Sequence, residues 1–128
     1  MRRLVRTLMF GSSDVDPATL AMTQSMVEGP PLATLASLQG TLVRTDVRRG
    51  LGVLRGLPVL LLTGTDDRLI RPAHSRRMAA DLGPSVVLVE VPGAGHAVNQ
   101  THPDVVNTEL HRLLDRTGSP VVSTIGAR

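Results

Sequence analysis

The sequence predicts an α/β protein with parallel strands, and three observations carry that expectation. Pro58-Val59-Leu60-Leu61-Leu62 and Val86-Val87-Leu88-Val89-Glu90-Val91 are short, continuous apolar runs of the kind that parallel sheets bury on both faces. Between them, Pro72 opens a helical stretch whose apolar positions Met78, Ala79 and Leu82 end at Gly83-Pro84, a C-cap followed by a stop. After the second run comes a further helical pattern, with Val105, Val106, Leu110, Leu113 and Leu114 on one side. Strand, helix, strand, helix in that order is a right-handed crossover, which lays the two strands side by side and parallel.

The first part of the chain has a different texture. Asp16-Pro17 reads as an N-cap followed by proline at the first helical position, opening a helix to about Glu28 with Leu20, Met22, Met26 and Val27 as its apolar side. Gly29-Pro30-Pro31 stops it. A second helix carries Leu32, Leu35, Leu38 and Leu42 at three- and four-residue spacing, and a third, Asp46 to Leu57, is weakened by Gly50, Gly52 and Gly56. No convincing strand falls within residues 1 to 50, and the short helices suit a layer lying over something else. The expected organisation is therefore a helical segment over residues 1–56, a βαβα unit over 57–116 with Thr101 capping its last helix, and a frayed tail over 117–128.

Length and composition narrow the function. A chain of 128 residues, 41% of them hydrophobic, can bury one modest core and is not disordered by composition. No apolar run approaches the eighteen or so residues of a membrane span, and Met1-Arg2-Arg3-Leu4-Val5-Arg6 lacks the apolar stretch of a secretory signal, so a cytoplasmic protein is expected. The absence of cysteine removes disulfides, thiolate metal clusters and cysteine nucleophiles. A pI of 11.2 suggests a nucleic-acid binder, but the net charge is only +3, and all fourteen basic side chains are arginine. With no lysine, tyrosine or cysteine, nothing titrates between histidine and arginine, and a small positive excess persists to high pH. Phe10 is the single aromatic, so no stacking platform exists and nucleic acid is not an expected partner.

The chemistry lies where the strands end. Asp66-Asp67 leaves the first strand and His96 leaves the second, after the tight turn Pro92-Gly93-Ala94-Gly95, so both are delivered to the C-terminal rim where open α/β sheets keep their ligands. An imidazole beside a carboxylate is what a nucleophile-base-acid triad requires: the ring takes the nucleophile's proton, and the acid fixes its tautomer. Either Asp66 or Asp67 could instead be a solvated loop carboxylate or a helix cap. Gly93-Ala94-Gly95 is not a dinucleotide fingerprint, because Val98 stands where a third glycine belongs. His74, His102 and His111 share no metal-ligand spacing and read as surface residues, and neither metal nor cofactor is expected.

These residues resemble the C-terminal part of the α/β-hydrolase superfamily over roughly residues 10 to 116. The carrying motifs are Pro58-Val59-Leu60-Leu61-Leu62-Thr63-Gly64-Thr65-Asp66-Asp67-Arg68-Leu69-Ile70, with its Gly-x-x-Asp, and Val91-Pro92-Gly93-Ala94-Gly95-His96. The resemblance implies that Asp67 is the triad acid, His96 the triad base, and residues 1 to about 50 part of the cap inserted over such sites. It implies hydrolysis of an ester or related acyl bond in a small-molecule substrate.

One departure is decisive for activity. The chain contains no Gly-x-Ser-x-Gly nucleophile elbow; Gly11-Ser12-Ser13 is the nearest candidate and lacks both the second glycine and a preceding buried strand. The glycine-rich loop that donates oxyanion-hole amides is also missing. The expectation is the C-terminal half of a hydrolase fold, with its nucleophile, serine or aspartate, supplied by an N-terminal half. Leaving Val59, Leu60, Leu61 and Leu62 without cover forfeits about 1.5–3 kcal/mol each. Their sum approaches the roughly 5–15 kcal/mol a domain has to spare, so the isolated chain is expected to be marginal. The alternative is a non-catalytic remnant that binds another protein through its exposed sheet edge.

Overall fold

The computed structural model describes residues 2–45 and 48–118. Helices α1 (Arg2–Phe10), α2 (Pro17–Glu28) and α3 (Leu32–Arg44) are followed by a 3-10 turn over Arg48–Leu54. Strand β1 (Val59–Gly64), helix α4 (Pro72–Leu82), strand β2 (Val86–Val91), the one-turn helix α5 (Val98–Thr101) and helix α6 (Pro103–Thr117) complete the described chain.

The two strands pair in parallel, in register from Val59 opposite Val86 to Gly64 opposite Val91. Side chains alternate across the pair, so each strand supplies both faces. Leu62 and Val89 meet Val105 and Val106 of α6, together with Val91, Ala94 and Val98. On the opposite face Arg76 of α4 forms an ion pair with Glu90 of β2 at 2.8 Å. The sheet thus lies between α4 and α6, as the crossover requires. Its apolar run is only half-buried over residues 59–62, and Val87 on β2 remains exposed. Two strands and two helices do not supply the cover that these side chains can use.

Two local expectations are corrected, and one element was not foreseen. Helix α1 was not legible as an element: Arg2, Arg3 and Arg6 obscure an apolar pattern in which Val5 and Phe10 are buried. Phe10 is fully buried against Leu20 and Ala97, forming a second small core with Met9 and Val15 at its margin. The expected helix from Asp46 to Leu57 is a 3-10 turn that begins at Arg48 and closes at Leu54; Asp46 and Val47 lie outside the described residues. Gly50 and Gly52 fall inside this turn, where backbone freedom weakens an α-helix most. Thr101 does not cap α6. It ends α5, and the N-cap position belongs to His102, whose side chain makes no capping bond.

Helix α2 starts as its sequence implies, with the Asp16 carboxylate accepting from the Ala18 and Thr19 amides at 2.9 Å each. Gly83 closes α4 at φ +92°, and Gly118 closes α6 at φ +67°, both in the region that favours glycine. Of the tail expected over 117–128, Thr117 ends α6 and Gly118 is its cap, and the remainder lies outside the described residues. Helix α3 leaves Leu35, Leu38 and Leu42 exposed. Among the described residues no helix is long and apolar enough to cross a membrane.

Candidate active site

The rim is built by two loops and held by glycines. At the end of β1, Gly64 approaches the His96 turn so closely that a Cβ there would lie 2.1 Å from the Ala94 carbonyl oxygen. The turn itself needs Gly93, whose φ is +72°. Thr65 N–H donates to Val91 O and Asp66 N–H to Ala94 O, both at 2.9 Å, so the first loop is fastened to the second along its backbone.

This fastening delivers the two predicted residues to each other. His96 Nδ1 lies 2.9 Å from Asp67 Oδ2. The other oxygen of Asp67, Oδ1, accepts the Leu69 and Ile70 amides at 2.9 Å each, which locks the carboxylate against rotation. A carboxylate only accepts, so the proton in the bond sits on Nδ1 and the lone pair of the neutral ring is left on Nε2. No hydrogen bond among the described residues occupies Nε2. The Asp67 side chain retains 7% of its exposure and that of His96 retains 36%, so the acid is sequestered while the ring is accessible.

Asp66 turns away from this pair. Its Oδ2 accepts from Ser12 Oγ at 2.8 Å, so the two adjacent carboxylates serve different partners. The hydroxyl of Ser12 therefore faces Asp66 and the Gly93 carbonyl rather than His96. His74 and His111 are exposed, as expected. His102 differs: it is half-buried, and its Nδ1 lies 2.9 Å from Thr101 Oγ1. Among the described residues no group of three or more histidine or acidic side chains is arranged to hold a metal.

An open cleft of about 610 Å³ runs along the outer side of the Asp67 loop, with Asp66, Arg68, Arg71 and Arg76 among its walls. His96 is not part of its lining. Asp67 lines the cleft while its partner His96 does not, so cleft size alone does not locate the pair. Arg76 is engaged by Glu90, whose hydrogen bond and negative charge raise the guanidinium pKa above its ordinary value.

What the sequence did not reveal is the third segment at the rim. Residues 8–13 run antiparallel to 93–97, with Gly11 bridged to Ala94. Gly95 N–H donates to Phe10 O at 3.1 Å and Ala97 N–H to Met9 O at 2.6 Å. The only hint in the sequence is glycine at 11, 93 and 95, where close backbone approach is needed.

A parallel strand pair between two helices, with a histidine bonded to an aspartate at its C-terminal rim, is an α/β arrangement. The chain belongs to the alpha/beta hydrolase family, whose model matches residues 2–109. It is also similar to polyketide synthase ThaQ of Burkholderia thailandensis, with 38% identity over 76 residues. That match covers 59% of this chain and 4% of the synthase.

Proposed function

We propose that this chain carries the base and the acid of a nucleophile-His-Asp hydrolase acting on an ester or related acyl bond. The observation that carries the reading is the His96 Nδ1 to Asp67 Oδ2 bond at 2.9 Å, with Nε2 left unoccupied. In this role Nε2 of His96 removes the proton of the attacking hydroxyl or water and later returns it to the leaving group. Asp67 holds the tautomer that keeps the Nε2 lone pair available and stabilises the imidazolium once it forms.

The nucleophile and the oxyanion donors come, on this reading, from an N-terminal segment that completes the sheet, and α2 and α3 belong to the cap. Whether the nucleophile is serine or aspartate is decided by that segment.

The test is complementation: co-expression with a matching N-terminal half, followed by assay on short-chain aryl esters. Loss of the base in a serine-hydrolase framework costs about a millionfold in turnover, and loss of the orienting carboxylate about ten-thousandfold. His96→Ala and Asp67→Asn should fall accordingly. Full activity in His96→Ala would remove the base assignment.

A second reading, a protein-interaction module, is favoured by the exposed leucines of α3 and by a sheet that, among the described residues, has two strands. A folded hetero-oligomer that gains no esterase activity on complementation would support it.

A further inference from the structure

We propose that Ser12 and Asp66 are positioning residues that clasp the His96 turn to the Asp67 loop; the proposal rests on the His96 and Asp67 reading above. Three segments far apart in sequence meet here, and each is bonded to both of the others. Ser12 Oγ lies 2.8 Å from Asp66 Oδ2 and 3.1 Å from the Gly93 carbonyl. The same carbonyl accepts from the Ser12 amide at 2.9 Å and from Ser13 Oγ at 3.3 Å. Gly93 N–H donates to Thr65 Oγ1 at 2.8 Å, which returns the connection to the residue beside Asp66.

The packing leaves this junction no slack. A Cβ on Gly11 would lie 2.8 Å from both the Asp66 Cβ and the Gly93 oxygen, and one on Gly93 would lie 2.8 Å from Ser12 Oγ. A Cβ on Gly95 would lie 2.4 Å from the Gly11 amide nitrogen. Residues 65–67 and 93–96 each carry one member of the pair, so the distance between the two loops sets the length of the His96 to Asp67 bond. Ser12 spans those loops: its single hydroxyl proton is shared between a carboxylate on one at 2.8 Å and a carbonyl on the other at 3.1 Å. A hydrogen bond to a charged acceptor is stronger than a neutral one, which makes Asp66 the firmer anchor. Ser12 thus acts through the pair and not as the nucleophile.

The experiment uses the full chain labelled with ¹⁵N. The low-field proton on His96 Nδ1, assigned by its disappearance in His96→Asn, is followed in Ser12→Ala, Asp66→Ala and Ser12→Thr, with amide exchange at Gly93 and Gly95. Ser12→Ala and Asp66→Ala should move or broaden the Nδ1 proton. They should also speed exchange of those amides about fivefold, the population change that loss of one hydrogen bond brings. Amides of α6 should be unchanged, and Ser12→Thr, which keeps a hydroxyl, should retain the parental signal. If Ser12→Ala does not fold, Asp66→Ala gives the same readout. A parental Nδ1 resonance that persists unchanged in both alanine variants overturns the clasp alone. A parental chain without such a resonance overturns the His96 and Asp67 reading and the clasp with it.

Discussion

Substituting Gly64 by alanine tests whether close backbone approach builds the site. The new Cβ would lie 2.1 Å from the Ala94 carbonyl oxygen and 2.5 Å from that of Gly95, both main-chain atoms with no flexible end to yield. Reaching an ordinary contact of 3.4 Å requires the end of β1 and the His96 turn to separate by about 1.3 Å. The His96 to Asp67 bond is 2.9 Å, so an opening of even two thirds of that amount carries it beyond hydrogen-bond range. Overpacking of this kind costs about 1–3 kcal/mol. At roughly 4 °C or more per kcal/mol for a domain of this size, Tm should fall by at least about 4 °C. Gly52→Ala is the control, because a Cβ there meets nothing within 4 Å. Differential scanning fluorimetry gives the melting shift, and the His96 Nδ1 proton resonance reports the bond. A Gly64→Ala chain that melts with the parent and keeps that resonance would refute the claim that this glycine sets the spacing of the pair.

The other predictions concern the two cores and the helices. Phe10→Ala empties the one large, fully buried side chain among the described residues and should cost about 3–5 kcal/mol, read as a lower midpoint in urea. Leu38→Glu, on the exposed stripe of α3, should change the stability of the isolated chain by no more than about 0.5 kcal/mol; a large loss in thermal melts would mean that something covers this stripe. Asp16 has its pKa lowered by hydrogen bonding to Thr19, through its side chain and backbone, and to the Ala18 amide. A depressed folded-state pKa stabilises above the unfolded value of about 3.9 and is lost as pH falls through the folded value. Asp16→Ala should therefore lose less helicity than the parent between pH 5 and pH 2 when both are followed by circular dichroism.

How much of this could be read beforehand followed from how local each determinant is. β2 begins and ends where its run of β-branched residues does, and α2 and α4 start at their prolines, because strand propensity, caps and breakers act within a few residues. His96 and Asp67 were legible for a topological reason. A parallel crossover returns its second strand in the same direction as the first, so residues 29 apart arrive at one rim, and here the two strands are also neighbours. Helix α1 was not legible, since what makes it worth burying is Phe10 meeting Leu20 and Ala97, contacts that no window of sequence displays. The half-exposed strands were anticipated, because an apolar run needs two layers of cover whatever its neighbours are.

The clasp marks the boundary of that logic. Ser12 sits 54 residues from Asp66 and 81 from Gly93, and in Gly11-Ser12-Ser13 it resembled a failed nucleophile elbow. The structure gives that same hydroxyl to a carboxylate and a carbonyl, which spends its proton on geometry and withholds it from His96. A nucleophile must instead share its proton with the base. The two roles exclude each other in one conformation, so a free Nε2 on His96 and an engaged Oγ on Ser12 are a single observation about the rim. The His96 ring keeps Nε2 open, and the serine that lies nearest in the sequence pattern is bonded to Asp66 and Gly93 instead.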